Sequence, residues 1–325
     1  MIVDVHAHFV PRGLIRRILD QPAAGVSAVQ EGDDQFRFAI TGDPPTRILP
    51  AKLIDLEERK AWMDGQGIEI QVLTTWADIF GYGLAPEHGA EWSRLLNDTL
   101  MEAIAGLPRF EALASLPMQD PGAAAAMMSR ALDDGFLGAT IGTRIADMEL
   151  DDERLQPFWE AASDLGSVVF VHPGYVVGDP RTADFGLVNA VGRAQDTTIA
   201  AARLLFAGIP VRFPGARILL AHAGGTLPYL MGRLKRNHEL DASLGDPEDG
   251  FSRLLFDSVV FDPVCLCYLH DKAAPGSILL GSDYPFPIGD PRPLRVVEEA
   301  DLPDDDRDSI LGGAALTMLG LNPTG

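Results

Sequence analysis

The chain has 325 residues, 46% hydrophobic and 22% charged, a balance that suits a globular protein with a sizeable buried core. Its 47 acidic residues outweigh 26 basic ones, and the net charge of −21 excludes a nucleic-acid or anionic-membrane partner, since both demand clustered Lys and Arg. A small anionic substrate remains open, because a few arginines in a cleft override the global charge locally.

In chain order, Ile2–Val5 is the first of eight short apolar runs rich in Val, Ile, Leu or Phe, and it leads into His6-Ala7-His8. Residues 11–52 break the pattern. They are rich in Gly, Pro and polar residues (GDDQFRFAITGDPPTR) and read as an insertion with a small hairpin. Helical spacing follows over Leu53–Gln66, then a strand at Ile68–Thr75, a helix at Pro86–Ala105 and a strand at Phe110–Leu116. The alternation continues with a helix at Pro121–Asp134, a strand at Gly138–Ile145, a helix at Asp151–Leu165 and a strand at Ser167–Val171. It ends with a helix at Thr197–Ile209, a strand at Arg217–Ala221 and a helix at Leu227–Leu240. Strands at Ser258–Phe261 and Ile278–Gly281 follow, with one or two helices within Pro293–Leu319.

The strand runs are apolar throughout rather than alternating, as in a parallel sheet covered on both faces. Strand and helix alternating about eight times predict an α/β fold, a (β/α)₈ TIM barrel, as one domain over residues 1–325 with the insertion at about 11–52. A doubly wound sheet would carry a Gly-rich phosphate loop after its first strand, where this chain has His-Ala-His. Cys265 and Cys267 offer no disulfide framework and suit a reducing compartment as small apolar residues on a buried strand or helix edge. With no secretory n- and h-region and no apolar run near ~20 residues, the expected location is cytoplasmic, with no membrane partner.

In a barrel the active site lies at the C-terminal ends of the strands. His6 and His8 close the first strand, one residue apart and so on one face. His172 closes the fifth, His222 the sixth and Asp283 the eighth, which brings five ionisable groups to one mouth. Neutral imidazoles and a carboxylate suit Zn²⁺, and Mn²⁺, Fe²⁺ or Co²⁺ fit the same donors. His6, His8, His172 and Asp283 are assigned as ligands of one divalent ion. His222 is left free to take and return a proton beside a metal-bound water, whose pKa falls toward ~7.

These motifs resemble the amidohydrolase superfamily, and more narrowly its branch containing 2-amino-3-carboxymuconate-6-semialdehyde decarboxylase. The resemblance rests on DVHAHFVP at Asp4–Pro11, VHPG at Val171–Gly174, LLAHAGGTLPYLMGR at Leu219–Arg233 and LLGSDYPFP at Leu279–Pro287. TTIAAARLLFAGIPVRFPGARI at Thr197–Ile218 adds to it. It implies a barrel with one divalent ion, usually zinc, held by His6, His8, His172 and Asp283, with His222 catalytic. GATIGTRIADMELDD offers no lysine for a second metal.

Arg47 and Arg233 are candidate carboxylate anchors, because a guanidinium gives a carboxylate position as well as charge. The resemblance places Arg233 in a neighbouring subunit's site and so implies a homodimer. Around Arg47 the chain lacks the branch's cysteine-tryptophan pair. Trp76, Phe185, Tyr284 and Phe286 are candidate walls for a planar acid, while Ser282 and Pro285 are expected only to shape the turn. The expected activity is nonoxidative decarboxylation of an unsaturated or aromatic carboxylic acid, the partner being a small anionic organic substrate. Hydrolysis of a lactone or amide is the alternative, followed by hydration of a double bond and by metal binding without catalysis.

Overall fold

A computed structural model describes residues 1–32, 35–174 and 179–321. Eight parallel strands carry the architecture: β1 (Val3–Phe9), β2 (Ile70–Thr75), β3 (Phe110–Ala112 and Ala114–Ser115), β4 (Gly138–Gly142), β5 (Val168–His172), β6 (Arg217–Leu220), β7 (Leu255–Asp257) and β8 (Ile278–Leu279). Hydrogen bonding runs β1-β2-β3 on one side and β8-β7-β6-β5-β4-β3 on the other, with β3 shared between the two arcs. Val5 N donates to Leu280 O at 2.9 Å, and Ala7 bridges in parallel to Tyr284, so β1 meets the end of β8 and a barrel results.

Burial on both faces explains the apolar strands. Val5, Val72, Leu113, Phe170, Leu219 and Leu279 share one buried cluster. The alternate residues Val169, Val171, Ile218 and Leu220 pack into another with Ala200, Ala201 and Leu204 of the helix Arg193–Phe206. His172 has the parity of Val168 and Phe170, so it continues their face at the mouth. β1 slips register between Asp4 and Ala7, an irregularity lying at His6.

Helix starts follow local chemistry. Asp55 accepts from Glu57 N and Glu58 N at the head of Leu56–Gln66, which stops at Gly67 in the left-handed region (φ 73°). Asp120 and Asp262 do the same for Pro121–Asp133 and Pro263–Lys272, each with proline in the first turn.

Several expectations are corrected. Strand seven lies at Leu255–Asp257, not Ser258–Phe261: the Asp257 carboxylate accepts from Val259 N at 3.1 Å and turns the chain, whatever the β propensity of Val259 and Val260. The strand at Gly138–Ile145 stops at Gly142 and gives way to a short hairpin, Arg144–Ile145 with Met148–Glu149. The insertion contains its hairpin, Val26–Gly32 with Gln35–Ile40, and residues 33 and 34 lie outside the described residues. It also holds a helix, Arg12–Asp20, which buries Leu14, Ile15 and Ile18. Pro263–Lys272 is a helix the spacing did not suggest, and on it Cys265 is exposed rather than buried.

One polar network sits in the core beneath the mouth. Arg59, fully buried, donates to Gln71 Oε1 at 2.7 Å and to the carbonyl of His8. Gln71 Nε2 donates to Asp4 Oδ2 at 2.7 Å, and Asp4 also accepts from Ser282 N and Oγ at 3.0 and 2.5 Å. Ser282 therefore does more than shape a turn: it ties the end of β8 to β1. Burial pulls the Arg59 guanidinium down to about 10 and pushes the Asp4 carboxyl up. Arg59→Ala leaves Gln71 and Asp4 buried without their cation. It should lower the unfolding free energy by about 3–5 kcal/mol, read from the denaturant midpoint at constant slope.

Candidate metal centre and active-site pocket

The mouth gathers all five predicted residues. His6 Nε2 and His8 Nε2 lie 3.2 Å apart, and Asp283 Oδ1 is 3.3 Å from the first and 3.2 Å from the second. His222 Nε2 is 3.6 Å from Asp283 Oδ2, and the His172 ring centroid lies 4.6 Å from that of His8 and 5.0 Å from that of His6. Donor atoms of His6, His172, His222 and Asp283 fall within 4.8 Å of one another, so mutual distance alone admits His222 to the ligand set as readily as His8.

Hydrogen bonding separates the imidazoles. His6 Nδ1 is 2.6 Å from Asp257 Oδ2, and His8 Nδ1 is 3.0 Å from Thr74 Oγ1 and 3.3 Å from Thr75 O. Each ring is thus gripped from behind and presents Nε2 forward, the arrangement that orients metal-ligating histidines. Neither nitrogen of the buried His172 has a hydrogen-bond partner among the described residues. A buried polar group left so costs about 1–3 kcal/mol, and a divalent ion would satisfy it. The donor set of neutral imidazoles and a carboxylate fits such an ion.

Electrostatics agree with that fit. Burial, then the neighbouring histidines, hold His172 well below its ordinary range, and burial lowers His8. For His6 burial opposes protonation, but Asp257 and Asp283 outweigh it and raise it to about 10, so an ion entering the site must displace that proton. Burial also opposes the charge of Asp283, yet bonds to His222 and His6 keep its carboxylate well below the usual range.

Asp257, which ends β7, was missed by sequence reading. Its Oδ2 accepts from His222 N at 2.9 Å as well as from His6, and its Oδ1 accepts from Ala223 N at 2.9 Å. His222 and Ala223 both have φ of 54°, a strained region for residues with a Cβ, and the Asp257 bonds hold them there. Placing strand seven three residues too late hid Asp257 from the strand-end rule that found the histidines. Gly281 fills the gap behind it: a Cβ there would stand 3.0 Å from both His6 Cβ and Asp257 Cβ.

A cavity of about 330 Å³ opens over this cluster, lined among the described residues by His172, His222, Asp283, Arg47, Arg193 and Phe286, with Asn189 and Pro287 at its edge. Arg47 Nε donates to Asp78 Oδ2 at 2.9 Å, and its guanidinium carbon lies 5.5 Å from the ring centres of both Trp76 and Phe286. Trp76 is itself buried beneath Arg47. Phe185 is 90% exposed, and Tyr284 packs on Trp62 and Arg59 rather than walling the pocket. Arg233 is exposed on Leu227–Leu240 and does not line the cavity of its own chain. Arg193 and Asn189 line the pocket with no sequence signal to mark them.

Fold and site together define a (β/α)₈ barrel with a histidine–carboxylate cluster at its C-terminal mouth. The amidohydrolase family profile matches residues 3–321, and the chain belongs to that family. It is 31% identical to the 2-amino-3-carboxymuconate-6-semialdehyde decarboxylase of Dictyostelium discoideum, over 99% of this chain and 92% of that one. Among solved structures it resembles the 5-carboxyvanillate decarboxylase of Sphingomonas paucimobilis, with TM-score 0.81, 23% identity and 99% of each chain covered. The dihydroxybenzoic acid decarboxylase of Polaromonas, solved with bound manganese and the inhibitor 2-nitroresorcinol, gives TM-score 0.77 at 23% identity over 99% of this chain and 98% of that one.

Proposed function

We propose that the chain is a metal-dependent nonoxidative decarboxylase of an unsaturated or aromatic carboxylic acid. The observation that carries this reading is a cavity lined together by His172, Asp283, the partly exposed His222 and an arginine braced on two aromatic faces. The full-length likeness to a decarboxylase supports it. His6, His8, His172 and Asp283 would hold one divalent ion, which as a Lewis acid draws electron density from a substrate oxygen. Zinc is our assignment, with manganese, iron and cobalt compatible with the same donors.

The chain's own residues do the rest. Arg47 orients the acid by charge and by a planar fork of donors, and Phe286 offers a flat apolar face beside it. Loss of CO₂ leaves an electron pair on the substrate carbon. His222 stands at the cavity wall, without a partner on Nδ1 among the described residues, and delivers a proton to that carbon. No redox change occurs.

We further infer that one barrel domain with its 11–52 insertion forms the working unit, cytoplasmic and paired as a homodimer in which Arg233 serves the neighbouring site. The exposed Tyr229 and Val264, with Tyr268 reaching Pro228 O, lie on two adjoining helices beside Arg233 and favour such a pairing. No helix among the described residues is long and apolar enough to cross a membrane.

The test is to load the purified protein with zinc or manganese and incubate it with hydroxybenzoates and unsaturated diacids in D₂O. The expected result is CO₂ equal to acid consumed, with one deuterium at the vacated carbon. Water uptake without CO₂ across the metal-loaded panel would replace decarboxylation by hydrolysis or hydration.

A further inference from the structure

We propose that Arg59 is a positioning residue for the metal centre: its buried guanidinium clamps the β1 ligands His6 and His8 to Asp283, the ligand beyond β8, and so sets how tightly the divalent ion is held. The proposal rests on the metal-dependent reading above and deepens it.

The seam between these ligands is irregular. β8 is two residues long, Ile278–Leu279, and Asp283 stands past its end with φ of 56°. β1 slips register between Asp4 and Ala7. Backbone bonds do cross the seam, Asp283 N to His6 O and His8 N to Tyr284 O, both at 2.8 Å. They join segments without regular strand geometry, so side chains share the task of fixing them.

Arg59 touches both sides. Nη2 donates to the carbonyl of His8, and Cζ lies 4.7 Å from the ring centre of Tyr284, the neighbour of Asp283. Nη1 donates to Gln71 Oε1 at 2.7 Å, and Gln71 Nε2 donates to Asp4 Oδ2 at 2.7 Å. Asp4 Oδ1 in turn accepts from His6 N at 3.1 Å and Ser282 N at 3.0 Å. The relay from one planar cation therefore ends on the backbone of His6 and on both neighbours of Asp283, with His8 held directly. His172, on β5, lies outside this set.

Fold stability alone does not account for a charge at this place. Arg59 is fully buried, and its Nε has no hydrogen-bond partner among the described residues. Apolar residues of similar volume often serve a core as well as a buried charge or better. What they lack is directed donors, and ligands that must meet an ion at fixed lengths need direction.

The experiment titrates zinc into the metal-stripped protein against a chromophoric chelator, well below the melting temperature of every variant. Wild type is compared with Arg59→Lys, with Arg59→Met/Gln71→Leu, and with Phe158→Ala, a core substitution on the helix Gln156–Asp164. The double variant removes the cation together with its neutral partner and keeps the volume, which spares the fold. It should weaken zinc by about 10–100-fold, the usual cost of losing support behind metal ligands. Arg59→Lys should recover part of that loss, and Phe158→Ala should bind as wild type does. The absorption spectrum of the cobalt-loaded double variant should differ from that of wild type, because ligand geometry sets it. Unchanged zinc affinity or an unchanged cobalt spectrum in the double variant, or equal weakening in Phe158→Ala, would overturn the proposal and leave the metal reading intact. No zinc on wild type would overturn that reading, and the proposal with it.

Discussion

His222→Ala should retain a full equivalent of metal and lose turnover by on the order of 10²-fold or more, the usual worth of a positioned acid–base group. The expectation rests on how differently the imidazoles are held. His6 is backed by Asp257 and His8 by Thr74, whereas His222 has no partner on Nδ1 among the described residues and stays partly exposed to the cavity. Ligands need a fixed ring; a proton carrier needs access to substrate. Distance alone cannot decide, since His222 falls within the same 4.8 Å donor cluster as His6, His172 and Asp283. Elemental analysis of the variant decides it. Metal retained with turnover lost makes His222 the proton carrier; metal lost makes it a ligand and frees His8 for the acid–base role. Adding imidazole to the metal-loaded variant should recover part of the rate only in the first case.

The barrel was legible because its strands are buried on both faces, and burial leaves the plainest mark a sequence can carry. The mouth was legible for a related reason: a strand-end position is a topological address, so His6, His8, His172, His222 and Asp283 could be placed together without coordinates. Asp257 escaped because β propensity at Ser258–Phe261 outweighed the true strand, Leu255–Asp257, whose last residue turns the chain with its own side chain. A local signal did exist. Asp262-Pro263 is a capped proline start, the pattern that also opens Pro121–Asp133, and taking it as the start of a helix would have moved the strand upstream. Arg193 left no such mark, since its place in the pocket depends on how the helix Arg193–Phe206 docks beside the β5 loop, a long-range fact. Arg233 belongs to the opposite case. The motif around it was plain in the sequence, yet in the single chain it lies on the surface, outside the cavity lining.

Asp257→Asn should weaken metal binding by about 10–100-fold, the usual cost of losing the group behind a ligating histidine. It should also lower turnover of the metal-saturated enzyme by on the order of 10²-fold. Both effects follow from one count of donors. Asp257 faces the ring nitrogen of His6 and the backbone N–H groups of His222, Ala223 and Val259, and two carboxylate oxygens accept all four bonds. Burial opposes the charge on Asp257, but these bonds outweigh it and hold the carboxyl below its ordinary range. Asparagine has nearly the same shape but puts an NH₂ group where one oxygen was, so a donor faces a donor whichever way the amide is turned. If the amide faces His6, it also faces His222 N, so the His6 ring loses its orientation and the His222 backbone loses one of its acceptors. If it faces Ala223 and Val259, the left-handed backbone at His222 loses its brace and the imidazole leaves its place at the cavity wall. Saturating metal separates the two effects, because it repairs the first and not the second. A double variant tests the route: if Asp257 acts on turnover through His222, adding Asp257→Asn to His222→Ala costs far less than the product of the single losses. Full multiplicativity would instead mean that Asp257 serves the metal ligand His6 alone.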